Sequence, residues 1–162
     1  MVDKKLFFFM ALCVASLLGC DRSDDIENIF TGKVWHLVGF YGTTDWDNPN
    51  KSYPLKNDYN SHSDLSAYNI TFFTDGTALI SLPQGCQFTA LWTADGNERH
   101  RTFSFSEWKT VSGDSSQLGR HAKQMLDNLK RASYYQGNTY YVQLFDDSKK
   151  YFMQFADLSK YK

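Results

Sequence analysis

Cys20 is the residue whose setting most clearly calls for chemistry. It lies in the stretch ASLLGCDRSDD, between an apolar run and a cluster of acids. A thiol placed there can serve as an attachment point. The other thiol outside the apolar run, Cys86, follows Pro83-Gln84-Gly85 and opens a strand-like segment. A reactive cysteine needs its pKa lowered by a histidine, a cation or a helix N-terminus. Cys86 has Gln87 and Phe88 beside it instead, so it reads as a buried, inert thiol.

His36, His62, His100 and His121 never pair at the spacings that put two ligands on one face. No metal site and no cofactor is expected. Asp45, Asp47 and Asn50 imitate a calcium loop, but a hand-type loop from Asp45 needs glycine where Asn50 stands and an acid where Lys56 stands. A surface turn is the expectation. No serine occupies a Gly-x-Ser-x-Gly elbow, and nothing singles out a carboxylate pair for glycosidic acid–base work. No catalytic residue is assigned. Trp46, Tyr53 and Tyr59 lie in a long polar segment, where exposed rings can stack on sugars or anchor a protein partner. They are the candidate ligand-binding residues; the competing and more economical reading is that the segment folds back and uses them as core caps.

The N-terminal elements give Cys20 its meaning. Lys4 and Lys5 precede Leu6 to Leu18, a 13-residue run without a charge, and then the small Gly19. This is the pattern of a secretory signal, too short for a membrane span of roughly 20 residues. Leu17-Leu18-Gly19-Cys20 resembles the lipobox of bacterial lipoproteins. Residues 1–19 are therefore expected to be removed, and 20–31 to form a lipidated cysteine and a solvated acidic tether carrying Asp21, Asp24, Asp25 and Glu27. CDRSDD also resembles the acidic surface-export signal of one Gram-negative phylum, which implies display on the outer leaflet; the plainer reading is a soluble linker.

Removing 19 of the 162 residues leaves 143, enough for one domain with a sizeable core. A formal net charge of −1 provides no electrostatic footprint for nucleic acid. With Cys20 lipidated, only Cys86 remains in the mature chain, so no intramolecular disulfide can form. Packing must hold the domain, and the 17% aromatic content points to strands. GKVWHLVGFY reads as the first strand, and Gly42 to Ser66 as a long loop. AYNITFFT and TALISL pair across Asp75-Gly76, a strong hairpin signal. CQFTALWTA and RTFSFSEW follow as strands four and five, the latter with Phe103 and Phe105 alternating with hydroxyl residues. Ser115 or Ser116 can then cap a helix whose apolar stripe is Leu118, Ala122, Met125, Leu126 and Leu129. A hairpin in SYYQGNTYYVQLF and a last strand, YFMQF, complete the chain. The expected fold is mainly β with some α: an antiparallel, barrel-like sheet of about eight strands with one helix between strands five and six, over residues 32–162.

This order of elements resembles the META/HslJ-like family of small exported bacterial lipoproteins. Gly32-Lys33-Val34-Trp35-His36-Leu37 resembles its opening W-x-L strand, and Phe72-Phe73-Thr74-Asp75-Gly76 its F-x-x-D-G hairpin. Gly85-Cys86-Gln87-Phe88 stands where that family has G-C-N-x-F/Y, with Gln87 replacing asparagine and the aromatic one residue early. LWTADGNERHRTFSF and MLDNLKRASYYQGNTYYVQLF resemble its later strands, helix and hairpin. The second cysteine that many of its members carry after the fifth strand has no counterpart in Trp108 to Ser116. The resemblance implies a β-barrel-like domain without known catalysis, associated with envelope function or stress. The expected function is thus that of a non-catalytic lipoprotein tethered to the outer membrane through Cys20, binding a protein or small ligand or maintaining the envelope. The alternatives are an extracellular hydrolase and an inhibitor of an extracellular enzyme.

Overall fold

The computed structural model describes residues 22–55, 67–96 and 101–161. Eight antiparallel strands close into a ring: β1 (Val34–Thr43), β3 (Asn69–Phe72), β4 (Thr77–Ser81), β5 (Gln87–Asp95), β6 (Thr102–Ser112), β7 (Tyr134–Gly137), β8 (Tyr141–Phe145) and β9 (Tyr151–Asp157). Each pairs with the next and β9 returns to β1, so the ring hides the edges that an open sheet would expose. These are the eight strands the sequence predicts. A ninth, β2 (Ser52–Pro54), lies outside the ring on Tyr41 to Thr43 of β1. The segment read as a loop from Gly42 is therefore partly ordered: β1 runs on to Thr43, and the chain comes back through a single 3-10 turn at Pro49–Lys51 into β2.

Side-chain alternation sets which rings enter the core. In β1, Trp35 and Leu37 point inward, but Phe40 does too, which a strict period of two forbids. The register against β9 shifts between Leu37 and Gly39, leaving Val38 as an extra residue. That bulge changes the inward parity from odd to even and brings all three side chains inside. At Asp75-Gly76 the β3–β4 hairpin closes with Gly76 at φ +82°, a region glycine enters without steric cost. The Asp75 carboxylate accepts from the Thr77 backbone N–H at 2.8 Å and from its hydroxyl at 2.6 Å.

The ring has one weak seam. β6 meets β7 only around Thr102 and Tyr134, and the remainder of β6 diverges from it. Helix α2 (Arg120–Lys130) packs against β6 and β9 and fills this seam. It buries Ala122, Met125, Leu126 and Leu129, as the stripe predicts. Leu118 is buried as well but precedes the helix, whose N-cap is Gly119 without a side-chain bond. Neither Ser115 nor Ser116 caps it. Asp114 instead caps a separate 3-10 turn, Ser115–Gln117, accepting from the Ser116 N–H at 2.9 Å.

The expected acidic tether is corrected over its described part. Arg22–Phe30 is a helix, α1, and Phe30 is completely buried. Its ring lies 5.0 Å from Phe72, 5.1 Å from Tyr135, 5.2 Å from Trp92 and 5.4 Å from Phe103. Its carbonyl accepts from the Trp35 indole N–H at 2.9 Å. Acidic composition argues for solvation, but Ile26, Ile29 and Phe30 provide an apolar side that the open end of the ring covers. Glu27 stays exposed on the same helix, so the apolar side is buried without taking that acid out of water. Cys20 and the apolar run before it lie outside the described residues.

Candidate functional site

Among the described residues, two surface depressions combine aromatic or apolar side chains with charged ones. The first contains Trp46. Its ring stands edge-on to Phe145, with centroids 5.0 Å apart, and to Tyr134 at 5.7 Å. Its carbonyl accepts from Gln136 Nε2 at 2.9 Å. Lys149 Nζ sits 4.3 Å from both the Trp46 and Tyr134 ring centroids. Lys149 reaches this position from a left-handed backbone, φ +57°, in the turn between β8 and β9. Trp46 thus caps the core beneath it, while the chain's own ammonium occupies the aromatic faces. Asp45, Asp47, Ser148 and Lys150 complete the polar walls.

Asp45 and its neighbours are engaged locally. Asp45 Oδ1 accepts from the Asp47 N–H and Asn48 Oδ1 from the Asn50 N–H, each at 3.1 Å, so the calcium-like stretch is a pair of Asx turns. Tyr53 lies on β2 and covers Gly42, whose missing Cβ leaves room for the phenol: a Cβ there would come within 2.7 Å of the ring. Tyr53 nonetheless remains 46% exposed. The structure therefore does not gather Trp46 and Tyr53 into one aromatic platform. Tyr59, His62 and His100 lie outside the described residues. His36 is on β1 and His121 on α2, at separate places in the fold. Among the described residues, no group of three or more His, Cys, Asp or Glu side chains could hold a metal ion. Cys86 is 1% exposed and free, and its thiol donates to the Asp114 carbonyl at 3.4 Å.

The second depression follows the seam that α2 fills. It is a groove of about 390 Å³ between α2 and the C-terminal half of β6. Phe88, Leu118 and Leu126 keep exposures of 8%, 5% and 7%, small remnants that form an apolar floor. Trp108 forms part of the wall, with Lys130 Nζ 5.9 Å from its ring centroid. Lys109, Lys123 and Lys130 rim the groove, with Asp127 as the one acid in its lining. Three cations against one carboxylate leave a positive rim on a chain of net charge −1. Sequence reasoning assigned these lysines no role. The available signal was that α2 carries Arg120, Lys123 and Lys130 but only Asp127 in opposition.

Local electrostatics elsewhere belong to turns and core. The Ser116 hydroxyl, and after it the Ser116 N–H, hold the Asp114 carboxyl below the ordinary range. The Thr77 hydroxyl and N–H do the same for Asp75. Burial pushes the Tyr135 phenol up, outweighing the nearby Arg101 guanidinium, and burial also raises Tyr41. None of these groups lines the groove.

Known proteins give this architecture a family. The crystal structure of a DUF4847 family protein from Bacteroides vulgatus ATCC 8482 is similar to this chain at 29% identity and a TM-score of 0.64, covering 82% of this chain and 96% of that one. An NMR structure of a protein from Burkholderia xenovorans aligns over 82% of this chain and 86% of that one, at 10% identity and a TM-score of 0.48, a likeness too slight to support further inference. No curated protein matches the chain. These findings overturn the resemblance to the META/HslJ-like family. The segments that carried it, such as Phe72 to Gly76, are what any antiparallel hairpin with an Asp-Gly turn and inward rings requires, and they are too generic to identify a lineage. From residue 21 to residue 157 the chain matches the model described as "Domain of unknown function (DUF4847)", for which no catalytic family is identified, and it belongs to that family.

Proposed function

We propose that this chain is a lipid-anchored cell-envelope domain that works by binding, and that its contact surface is the lysine-rimmed groove between α2 and β6. Cys20 would anchor it to the outer membrane and hold the barrel outside the bilayer. One observation carries the binding surface: an apolar floor of Phe88, Leu118 and Leu126 lies beneath Lys109, Lys123 and Lys130. Such a surface favours a partner with an acidic group beside an apolar one, since the floor rewards burial and the rim rewards negative charge. The Trp46 depression is the weaker choice, because Lys149 already occupies its aromatic faces.

Anilinonaphthalene sulfonate, an anionic aromatic reporter, tests the groove on the native lipid-free domain. Its fluorescence should rise on binding and fall as salt screens the rim. The rise should be lost in the Lys123→Glu/Lys130→Glu double variant, which alters two exposed side chains. An equal rise in that variant, or none in the wild type, rejects the groove. Mass spectrometry of the membrane fraction tests the anchor separately: a mature chain that keeps Met1 to Gly19, or begins elsewhere without lipid, rejects it.

A further inference from the structure

We infer that the end of the barrel closed by α1 rests on the lipid surface, so that the domain sits on the membrane in a fixed orientation instead of swinging on a tether. The inference depends on the proposed lipidation of Cys20 and specifies how the anchored domain meets the bilayer. Its first support is chain length. α1 begins at Arg22, two residues after Cys20, a separation of at most about 7 Å. From Arg22 to Phe30 the helix rises only about 12 Å. Phe30 is locked in the core, and Thr31 bridges to Phe72 at the end of β3. Lys33 Nζ ties the same region together, donating to the Asn28 carbonyl at 3.0 Å and to the Thr139 carbonyl at 3.3 Å. Only Asp21 stands between Cys20 and the first residue of α1.

The second support is independent of the lipid. Among the described residues seven large apolar side chains are exposed, and four of them lie at the end that α1 closes. Val34, 41% exposed, opens β1; Phe73, 43% exposed, follows β3; Tyr140 and Tyr141, 56% and 39% exposed, stand at the β7–β8 turn. They form one sector of the rim: β1 pairs with β3 on one side and with β9 on the other. β8 pairs with β9, and the Asp157 N–H donates to the Tyr140 carbonyl at 3.1 Å. Tyrosines at the margin of an apolar patch suit the bilayer interface, where the ring enters the headgroup boundary and the hydroxyl stays wet. An apolar patch beside a short lipid anchor fits a bilayer surface as its partner.

The full lipidated protein in phosphatidylethanolamine–phosphatidylglycerol vesicles provides the test. An environment-sensitive fluorophore is attached at Tyr140→Cys, and in a second variant at Val111→Cys. Val111 lies near the other end of β6 from Thr102, about 30 Å along the strand; wild-type protein, whose Cys86 is buried, serves as the labelling control. The Tyr140→Cys probe should be blue-shifted, and quenched several-fold more strongly by a lipid-borne quencher than the Val111→Cys probe. Water-like emission from both probes, in protein shown by mass spectrometry to carry lipid on Cys20, overturns the orientation while leaving the anchor intact. Absence of lipid on Cys20 in the same sample overturns the anchor, and the orientation with it. A blue shift at Tyr140→Cys that needs no vesicles and grows with protein concentration assigns the rim to a second copy of the chain and also overturns it.

Discussion

Replacing Phe30 with alanine should cost about 4 kcal/mol, in a segment whose composition reads as a solvated tether. Two routes lead to that figure. An aromatic side chain buries at least about 150 Å², and at about 25 cal/mol per Å² its removal forfeits close to 4 kcal/mol. Phe→Ala substitutions in packed cores cost about 3–5 kcal/mol once the cavity is included. The site belongs toward the upper part of that range, because the rings of Phe72, Trp92, Phe103 and Tyr135 all lie within 5.4 Å of Phe30, and well-oriented ring pairs add about 0.5–1.5 kcal/mol each. A domain of this size is stable by about 5–15 kcal/mol. With a urea slope near 2 kcal/mol per molar, the midpoint should fall by about 2 M. The assay is equilibrium urea unfolding of the lipid-free chain, with Trp92 beside the deleted ring as a reporter. Glu27→Ala, on the exposed side of the same helix, should change stability by less than about 0.5 kcal/mol. If Phe30→Ala matches Glu27→Ala, or a chain truncated to begin at Thr31 melts at the wild-type midpoint, α1 is dispensable and the plug at the barrel end is refuted.

The seam helix should behave in the same manner: Leu129→Ala, at a fully buried position, should cost about 2–5 kcal/mol, and Lys123→Ala less than about 0.5 kcal/mol, in the same melt. At the Cys86 site, Gly113 has φ +80° and a Cβ there would come within 2.6 Å of the Cys86 sulfur. Gly113→Ala should therefore destabilise by more than the roughly 1–2 kcal/mol of a left-handed L-residue, and thiol labelling, slow in the native wild type, should accelerate. Alkaline pH should weaken the fold: burial raises the Tyr135 and Tyr41 phenols, so the unfolded chain ionises first, at about pH 10. The stability they supply is complete below that pH and is lost as pH rises from there through their raised native values, which urea midpoints compared below and above pH ~10 will show. At the acid end, the lowered carboxyls of Asp75 and Asp114 supply turn stability that is present above the ordinary carboxylate pKa of about 3.9 and is lost as pH falls through their native values; fluorescence of the turn-adjacent Trp92 during acid titration will report it.

Much of the barrel was legible because its strands announce themselves locally. Phe103 and Phe105 alternate with hydroxyls, Asp75-Gly76 makes a hairpin, and Met125, Leu126 and Leu129 share one helical face; each signal depends on neighbours within a few residues. The same locality misled the family assignment, since hairpin chemistry is common to unrelated barrels. What the sequence concealed depends on distant partners. The acids near Asp24 and Asp25 outvote a single Phe30 in any count of composition, until Phe72, Trp92, Phe103 and Tyr135 meet around it from four separate strands or strand ends. The bulge at Val38, which turns Phe40 inward, is decided by the register with β9, more than a hundred residues away in the chain. The groove follows the same logic: Lys109 and Lys123 lie on separate elements, and only the packing of α2 beside β6 sets Phe88, Leu118 and Leu126 beneath them. The sequence alone determined that the chain is strand-rich and helix-stapled, because backbone preference is a local property. Which residues plug the ring, which fill the seam and which side chains face one another was decided by the tertiary structure, because burial is settled by whatever arrives from elsewhere in the chain to exclude the water.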